Sequence, residues 1–428
     1  PHLNLIVTGH IDNGKSTTMG HFLMDLGVVD ERTIAAHGAE SEKTGKGDTF
    51  KYAWVMDNIK DERERGITID LAFQKFESPK YFFTLIDAPG HRDFIKNMIT
   101  GASEADAAIL VLSAKEGETD TAIAAGGQAR EHAFLLKTLG VSQLIIAINK
   151  MDAVEYKEDA FNAAKEKGEK LAKSVGYKLE NVPVIPVSGW KGDNLVKKTE
   201  NMPWYSGKTL LEAFDDFTVT EKPIGKPLRV PIQDVYTITG VGTVPVGRVE
   251  TGLMKAGDKI IVMPSGAPGE IKSIETHHTE MPSAEAGDNI GFNLRGVEKK
   301  DIKRGDVLGH PDAPPKVAKE FKAQIIVIHH PTAIAPGYTP VMHAHTTQVA
   351  ATVTEFLQKI NPATGAVEEE NPKFLKAGDS AIVKIRPVRP TCIETFQEFP
   401  EMGRFALRDM GATIAAGIVK EITEEYKP

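Results

Sequence analysis

The first residues that could do chemistry form a glycine-rich octapeptide near the start of the chain. It lies between the apolar run 3–7 and a stretch of helical periodicity, and it reads Gly9-His10-Ile11-Asp12-Asn13-Gly14-Lys15-Ser16. A strand, a glycine-rich loop and a helix in this order are typical of a phosphate-binding loop. The glycines let backbone N–H groups approach a polyphosphate. Lys15 offers a charge to the β- and γ-phosphates, and the Ser16 hydroxyl is suited to bind Mg²⁺.

A second polar segment follows the apolar run 82–86 and reads Asp87-Ala88-Pro89-Gly90-His91. An aspartate at the end of a strand can hold Mg²⁺ through a water molecule, and Gly90 allows a backbone N–H to approach a γ-phosphate. The alternative is an ordinary turn in which Asp87 caps the next helix.

Two further segments favour recognition of a guanine base. Asn149-Lys150-Met151-Asp152 follows the apolar run 144–148, and Ser188-Gly189-Trp190 ends another strand-like run. Asp152 can accept hydrogen bonds from the guanine N1–H and 2-amino groups, which adenine lacks, and buried polar groups left unpaired by a wrong base make such discrimination large. Asn149 would brace the pocket, Lys150 would cover the base, and N–H groups of 188–190 would reach O6. Taken alone, each segment is also compatible with a simple turn.

The segment Arg65-Gly66-Ile67-Thr68-Ile69 follows the charged run 61–64. A hydroxyl from Thr68 could complete Mg²⁺ coordination only when a γ-phosphate is present, as in a nucleotide-sensing switch. The alternative is a solvated charged run that leads into a strand. Together, however, these segments occur in the order and the strand-end context that a GTPase requires.

The elements that must position these residues alternate between strand and helix up to about residue 218. We predict strands at 3–8, 68–76, 81–87, 107–113, 143–149 and 183–188, and helices at 15–26, 94–101, 120–140, 155–175 and 209–214. This alternation predicts an α/β fold with a mostly parallel sheet and helices on both faces. The segment 35–60 has no clear pattern and is expected to be functional or disordered.

The pattern changes after residue 220 to that of antiparallel β-barrels. Short β-branched runs at 228–235, 242–249 and 259–263 are separated by Gly, Pro and Asp, as in small barrels. A proline-rich break at 311–315 divides this part. We therefore predict a GTP-binding domain at 1–220 with a long first switch at about 30–68, and β-barrel domains at 221–314 and 315–428.

Composition limits the remaining possibilities. The 428 residues are 41% hydrophobic and 26% charged, as in ordinary soluble proteins. No apolar stretch is long enough to predict a membrane-spanning helix, so we expect no membrane partner. Cys392 is the only cysteine, which excludes an internal disulfide and favours a reducing, cytoplasmic location. The net charge is −8, and almost all of the excess of acidic over basic residues lies before residue 219. A nucleic acid would therefore meet the nearly neutral C-terminal parts, through local basic patches. His343 and His345 lack a cysteine or carboxylate cluster and are expected to be structural.

These segments resemble the translational GTPases of the elongation factor Tu family. The resemblance is based on residues 9–17, 65–69, 87–91, 149–152 and 188–190, and it extends to 232–252 and 403–411 in the two barrels. It covers essentially the whole chain. It is greatest to archaeal members of the elongation factor 1-alpha type, because the insertion between Asp30 and Arg65 is absent from the bacterial factor.

The resemblance implies that GTP or GDP with Mg²⁺ binds here. It implies nucleotide-binding roles for Gly9, His10, Ile11, Asp12, Asn13, Gly14, Lys15, Ser16, Thr17, Asp87, Gly90, Asn149, Lys150, Asp152, Ser188, Gly189 and Trp190. Mg²⁺ would be held by Ser16, Thr68 and, through water, Asp87. His91 would be the catalytic residue that orients the hydrolytic water, and a hydrophobic gate of Ile11 and Ile67 would keep this histidine away until the ribosome admits it. Asn13 departs from the family, in which His or Ser is common.

The implied function is delivery of aminoacyl-tRNA to the ribosome, with the aminoacyl end near Gln233, Asp234, Tyr236, His278 and Asn289. Further implied partners are an exchange factor of the elongation factor 1-beta type, ribosome-rescue (Pelota) factors and peptide-chain release factors. The alternatives are a related translational GTPase of the rescue, termination, selenocysteine-specific or initiation type, and a sulfate-activation regulatory GTPase. A single cysteine disfavours the zinc-knuckle of the initiation type, and the third-domain segment disfavours the sulfate-activation subunit. A nucleotide-bound scaffold without turnover is disfavoured by His91 and Thr68.

Overall fold

The computed structural model describes residues 1–43, 51–52, 72–87, 105–124, 127–138, 140–219, 221–276, 279–361 and 365–428. The chain divides into two compact units, Pro1–Thr220 and Glu221–Pro428. The boundaries that we expect for three domains, 1–220, 221–314 and 315–428, stay predictions.

The first unit is a six-stranded sheet with helices. Its elements are β1 His2–Gly9, α1 Lys15–Asp25, α2 Glu31–Lys43, β2 Ala72–Glu77, β3 Phe82–Asp87, β4 Ala107–Ser113, α3 Glu118–Ile123, α4 Gln128–Thr138, β5 Gln143–Asn149, α5 Glu158–Val175, β6 Val184–Pro186 and α6 Leu210–Phe214. The strand order is β2-β3-β1-β4-β5-β6. All neighbouring strands are parallel except β2 and β3, so the mostly parallel α/β sheet is confirmed.

Apolar strands explain why this sheet forms. Every residue of β4 is buried, which is typical of a parallel strand that is covered on both faces. Phe22 of α1 packs edge-on against Phe76 and Phe214 with ring centroids 5.2 and 5.4 Å apart. In the parallel register Val7 pairs with Asp87, Gly9 with Val111 and Ser113 with Asn149. The carboxyl ends of β1, β3, β4 and β5 therefore lie along one edge of the sheet.

The predicted single helix at 120–140 is wrong, because α3 and α4 replace it. The backbone leaves the helical conformation at Ala124, whose ψ is 164°. A Cβ on Gly127 would collide with the carbonyl oxygen of Ala122, so a side chain at this position would prevent the close approach of the two helices.

Two other expectations also need correction. The predicted helix 155–175 begins only at Glu158, because Glu155 and Tyr156 have positive φ values of 55° and 58° and such backbone cannot start a right-handed helix. The patternless segment 35–60 contains most of α2, with Ile34 and Ser41 buried. Residues 68–71 of one predicted strand and the predicted helix 94–101 lie outside the described residues.

The second unit is built from strands. They are β7 Val230–Ile238, β8 Gly242–Arg248, β9 Leu253–Lys255, β10 Lys259–Met263, β11 Ala267–Thr276, β12 Thr279–Met281, β13 Ser283–Glu285, β14 Asn289–Arg295, β15 Val307–Gly309, β16 Val317–Val327, β17 Val341–Ala344, β18 Thr347–Ile360, β19 Val367–Glu370, β20 Ser380–Pro387, β21 Thr391–Cys392, β22 Arg404–Asp409 and β23 Ala412–Glu425.

Most of these strands form two closed antiparallel sheets, as the barrel prediction requires, while β9 and β13 pair separately as a two-stranded sheet. The first follows the order β10-β15-β7-β8-β14-β11-β12, and the β10–β11 pairing closes it. The second follows β17-β22-β23-β16-β20-β18-β19, and the β17–β18 pairing closes it. Closure removes the exposed strand edges, and each barrel has its own apolar core. Among the described helices, none is long and apolar enough to cross a membrane.

Candidate functional site

The glycine-rich loop follows β1 and leads into α1. Gly14 has a left-handed backbone with φ +80°, and a Cβ there would lie 2.6 Å from the side-chain nitrogen of Asn149. The N–H and hydroxyl of Thr18 both donate to the Gly14 carbonyl, at 2.9 and 2.6 Å. The loop thus packs against the β5 edge at the N-terminus of a helix, where backbone N–H groups and the helix dipole favour an anion.

Ser16 and Asp87 come together at the same edge. The Ser16 hydroxyl donates to a carboxylate oxygen of Asp87 at 2.6 Å. Asp87 is fully buried, and Lys15, which directly precedes Ser16 in the sequence, is only 8% exposed. A hydroxyl and a carboxylate in direct contact beside a lysine form an oxygen pair suited to Mg²⁺ next to a phosphate. The described residues contain no group of three or more His, Cys, Asp or Glu that could hold a metal alone.

Asn149 joins the glycine-rich loop to the segment 188–190. Its side-chain nitrogen donates to the Asn13 carbonyl at 2.9 Å, and its oxygen accepts from the Gly189 N–H at 2.8 Å. Asn149 is 3% exposed. Both polar ends of the buried amide are therefore satisfied by backbone groups of the two loops.

Asp152 and Ser188 also come together, although they are far apart in sequence. The Ser188 hydroxyl donates to the Asp152 carboxylate at 2.7 Å and accepts from the Lys191 N–H at 3.0 Å. Ser188 is buried, whereas Asp152 is partly exposed. This geometry fixes one carboxylate oxygen of Asp152 and leaves the side chain accessible at the sheet edge.

The remaining predicted nucleotide residues surround this edge. Lys150 has a left-handed backbone with φ 64°, and its ammonium group lies 3.1 Å from Glu118. Burial raises the pKa of Glu118, but hydrogen bonds from Ser113 and Lys150 outweigh it and hold that pKa below its usual value. Trp190 is half-buried. The sequence alone gave no signal for Glu118, because its contact with Lys150 depends on how β4 and β5 align.

Other contacts were also missed from the sequence. The Asp193 carboxylate accepts from the Tyr156 hydroxyl at 2.8 Å, the Thr199 hydroxyl at 2.6 Å and Asn201 at 3.0 Å. The Ser188 N–H donates to the Asp193 carbonyl at 3.2 Å. Asp193 thereby ties the turn after β5 to the loop that contains Ser188.

Two histidines lie behind the loops. The Nδ1–H of His21 donates to the Gly189 carbonyl at 2.7 Å, and its ring stacks on Tyr52 with centroids 4.3 Å apart. His132 hydrogen-bonds to the Thr8 hydroxyl. Burial, and next the charges of Lys15 and His10, lower the pKa of His132 to about 3. Its imidazole is therefore neutral beneath the phosphate loop, where a second positive charge would add to that of Lys15.

The residues expected to meet aminoacyl-tRNA lie on the first barrel. Gln233, Asp234, Tyr236 and Asn289 are exposed. Gln233 sits at a register shift between Ile232 and Asp234. Ile232 pairs with Gly247, which pairs with Ile290 beside Asn289. The structure therefore places Gln233 and Asn289 near one level of the barrel. Tyr236 lies three residues beyond Gln233 on β7, which is about 10 Å along the strand at about 3.3 Å per residue.

Several predicted residues lie outside the described residues. They are Ile67, Thr68, Gly90, His91 and His278. Their predicted roles stay predictions.

Three family models match most of this chain. The family model for the elongation factor Tu GTP-binding domain matches residues 1–220, that for elongation factor Tu domain 2 matches 242–309, and the GTP-eEF1A C-terminal domain-like model matches 320–420. Elongation factor 1-alpha of Cenarchaeum symbiosum is 88% identical over 100% of this chain and 98% of its own length. That of Hyperthermus butylicus is 59% identical over 99% and 96%.

A solved structure described as a crystal structure analysis of sup35 complexed with GMPPNP is 31% identical over 99% of this chain and 94% of that chain, with a TM-score of 0.46. On the family models and the two elongation factors, the chain belongs to the elongation factor 1-alpha family of translational GTPases, enzymes that bind GTP or GDP and hydrolyse GTP.

Proposed function

We propose that the carboxyl edge of the parallel sheet binds the guanine nucleotide with its phosphates on the loop 9–17. The observation that carries this proposal is the position of Asn149, which hydrogen-bonds to both Asn13 and Gly189. One side chain thus sets the spacing between a phosphate loop and the segment 188–190. The left-handed Gly14 and the buried Lys15 support the same placement.

We propose that Asp152 reads the base. Its carboxylate accepts from the guanine N1–H and 2-amino groups, while the Ser188 hydroxyl at 2.7 Å holds it in orientation. The stem of Lys150 and the ring of Trp190 would cover the base, and N–H groups of 188–190 would donate to O6. Adenine presents no matching pair of donors, so the carboxylate would remain unpaired beside it.

The base proposal has a direct test. Asp152→Asn should lose GDP affinity and gain affinity for xanthosine diphosphate, whose 2-oxo group requires a donor. Binding of both nucleotides is measured by titration calorimetry, with Asp159→Asn, an exposed position on α5, as the matched control. Unchanged GDP affinity in Asp152→Asn would contradict the assignment.

We propose that Mg²⁺ is held by Ser16, by Asp87 through water and, when GTP is bound, by Thr68. The Ser16–Asp87 contact of 2.6 Å fits this group, because it brings the two described oxygen ligands together beside Lys15. Bound Mg²⁺ would neutralise charge that develops on the β- and γ-phosphate oxygens.

By family resemblance, we propose that His91 orients the attacking water and that Ile11 and Ile67 keep this histidine away until the ribosome is engaged. Gly90 would sense the γ-phosphate. His91→Ala should then keep GTP and aminoacyl-tRNA binding but lose ribosome-stimulated hydrolysis, because orienting the water acts mainly in the transition state.

We propose that the GTP form delivers aminoacyl-tRNA to the ribosomal A site and that hydrolysis releases it. The aminoacyl end would lie near Gln233, Asp234, His278 and Asn289, and Tyr236 would stack on a terminal base. The outward position of the four described residues supports this assignment. By the same resemblance, we propose a cytoplasmic location, an exchange factor of the elongation factor 1-beta type, and rescue (Pelota) and release factors as further cargo.

Delivery is tested by protection of the aminoacyl ester bond against hydrolysis, with GTP and with GDP. Protection should be much stronger with GTP, because only the γ-phosphate holds Thr68 and the first switch inward. Tyr236→Ala should weaken the binding of aminoacyl-tRNA by about 1–3 kcal/mol, because the proposed stacking of a base on the ring is lost. Phe374→Ala, another exposed aromatic residue of the second unit, is the matched control. Equal protection by the two nucleotides would overturn the delivery proposal.

A further inference from the structure

A cavity of about 350 Å³ lies between the two barrels of the second unit. We call it the inter-barrel cavity. The first barrel lines it with residues 264–265 and 300–306, and the second barrel lines it with Thr347, residues 389–392 and Tyr426. Its volume is at the lower end of the range for small-molecule sites, about 300–1,000 Å³. It contains none of the residues assigned above to nucleotide or tRNA.

The walls of the inter-barrel cavity carry basic side chains from both barrels. Lys300, Lys303 and Arg304 come from the first barrel, and Arg389 comes from the second. Lys300 pairs with the exposed Glu298 at 2.9 Å. Within the described residues, Lys303, Arg304 and Arg389 form no ion pair within 4.0 Å. Two barrels therefore present guanidinium groups to one space without a directly paired carboxylate.

Both guanidinium groups are held in place by backbone carbonyls. Arg304 Nε donates to the Thr346 carbonyl at 3.1 Å, and Arg389 donates to the Gln348 carbonyl at 3.3 Å. A guanidinium has five N–H donors in a fixed plane, so each arginine retains donors for a ligand. Because the forked geometry matches phosphate oxygens, the two arginines are already oriented for a phosphate-bearing ligand.

The loop that carries Arg304 is seated tightly against the second barrel. Gly305 has φ +92°, and a Cβ there would lie 2.7 Å from the Thr347 hydroxyl oxygen. Only glycine adopts this backbone without strain and permits this approach. This close approach fixes the position of the loop that carries Arg304 against Thr347 of the second barrel.

Two carboxylates also line the inter-barrel cavity. Asp301 accepts from the Glu298 N–H at 3.2 Å, and Asp306 accepts from the Lys303 N–H at 3.0 Å. Burial raises the pKa of Asp306 to about 6, while Lys303 and Arg389 oppose this rise. Four basic and two acidic groups line the cavity, which leaves a net positive lining that favours an anion.

We propose that the inter-barrel cavity binds a small phosphate-bearing anion between Arg304 of the first barrel and Arg389 of the second. Binding would bridge the two barrels. It would also stabilise the second unit by mass action, because the unfolded chain does not form the site.

The test is calorimetric titration of the full chain with pyrophosphate. The protein is first saturated with GDP, so that the phosphate loop is filled. We expect one molecule of pyrophosphate per chain, and affinity that falls by at least about tenfold in Arg389→Gln and in Arg304→Gln, since each removes charge-assisted hydrogen bonds. Asp306→Asn should tighten binding, because it removes a negative charge and keeps an acceptor for the Lys303 N–H.

The matched control is Arg295→Gln, which removes an exposed arginine of β14 outside the inter-barrel cavity and should bind pyrophosphate as the unchanged protein does. Circular dichroism verifies folding. If Arg304→Gln does not fold, Arg389→Gln and Asp306→Asn decide. The proposal is overturned if pyrophosphate affinity falls equally in Arg389→Gln and Arg295→Gln. It is also overturned if pyrophosphate raises the free energy of unfolding no more than NaCl does at equal ionic strength.

Discussion

The side-chain amide of Asn149 donates to the backbone carbonyl of Asn13 over 2.9 Å. The amide oxygen of Asn149 accepts from the Gly189 N–H at 2.8 Å. A Cβ at position 14 would lie only 2.6 Å from the amide nitrogen of Asn149, and Gly14 avoids this collision. The glycine-rich loop and the segment 188–190 are therefore held by one buried residue. Nucleotide affinity should depend on Asn149 even if it never touches the ligand.

Asn149→Ala should weaken GDP binding by about tenfold or more, because two buried backbone groups lose their partners and the loops lose their fixed spacing. The same loss should lower the free energy of unfolding by about 1–3 kcal/mol. GDP affinity is measured by calorimetry and stability by urea titration. Asn162→Ala, on the exposed face of α5, serves as control. Wild-type affinity in Asn149→Ala would show that the bridge is dispensable.

The Ser16–Asp87 contact leads to a prediction about Mg²⁺. Ser16→Ala should release GDP faster than the wild type, and removing Mg²⁺ with a chelator should accelerate its release little further, because a metal ligand is already lost. Ser16→Thr keeps the hydroxyl that this position of the motif uses and should behave as the wild type. Release is followed with a fluorescent GDP analogue. A full chelator effect in Ser16→Ala would argue that Ser16 does not hold the metal.

The sequence predicted the sheet edge well, because apolar runs such as β4 and β5 are buried along almost their whole length and polar residues such as Asn149 and Asp152 stand where a run ends. The two-helix structure at 118–138 was not predicted, since its break depends on the approach of Gly127 to Ala122 in space. The roles of Asp193 and Glu118 were not predicted either. The side-chain partners of the Asp193 carboxylate lie 6 to 37 residues away in sequence, and the Lys150 partner of Glu118 lies 32 residues away, so only the folded loops bring these groups together.

Asp193 leads to a prediction about base specificity. Tyr156→Phe removes one hydroxyl donor to Asp193, which should loosen the turn that carries Asp152 relative to Ser188. We expect a lower ratio of GDP to IDP affinity, because inosine lacks the 2-amino group that Asp152 would read. Tyr177→Phe removes a hydroxyl bound to the Val141 carbonyl at 2.7 Å and is the matched control. A change of stability with an unchanged affinity ratio would mean that the contact is merely structural.

Arg229 and Glu394 join the two barrels through a buried ion pair of 2.8 Å, with side chains 4% and 1% exposed. Arg229→Met should destabilise the second unit by about 3–5 kcal/mol, because it leaves a buried carboxylate without its partner. The double variant Arg229→Met/Glu394→Leu should recover most of this loss. The exposed pair Lys208–Asp216 offers the comparison, and Lys208→Met should cost no more than about 1 kcal/mol. Arg229 also donates to the backbone carbonyls of Leu228, Ala313 and Pro314. No recovery of stability in the double variant would argue that Arg229 stabilises the unit through these bonds and not through Glu394.

His132 leads to a prediction about pH. Its pKa is lowered to about 3 in the folded protein, chiefly by burial, whereas an unfolded histidine titrates near 6.5. The unfolded state therefore binds more protons below pH 6.5, so the contribution of His132 to stability is complete above that pH and declines as pH falls toward 3. His132→Gln should unfold with a shallower loss of stability between pH 6.5 and 4.5 than the wild type, measured by urea titration at each pH. Parallel curves for His132→Gln and the wild type would mean that the imidazole is not held neutral by its surroundings.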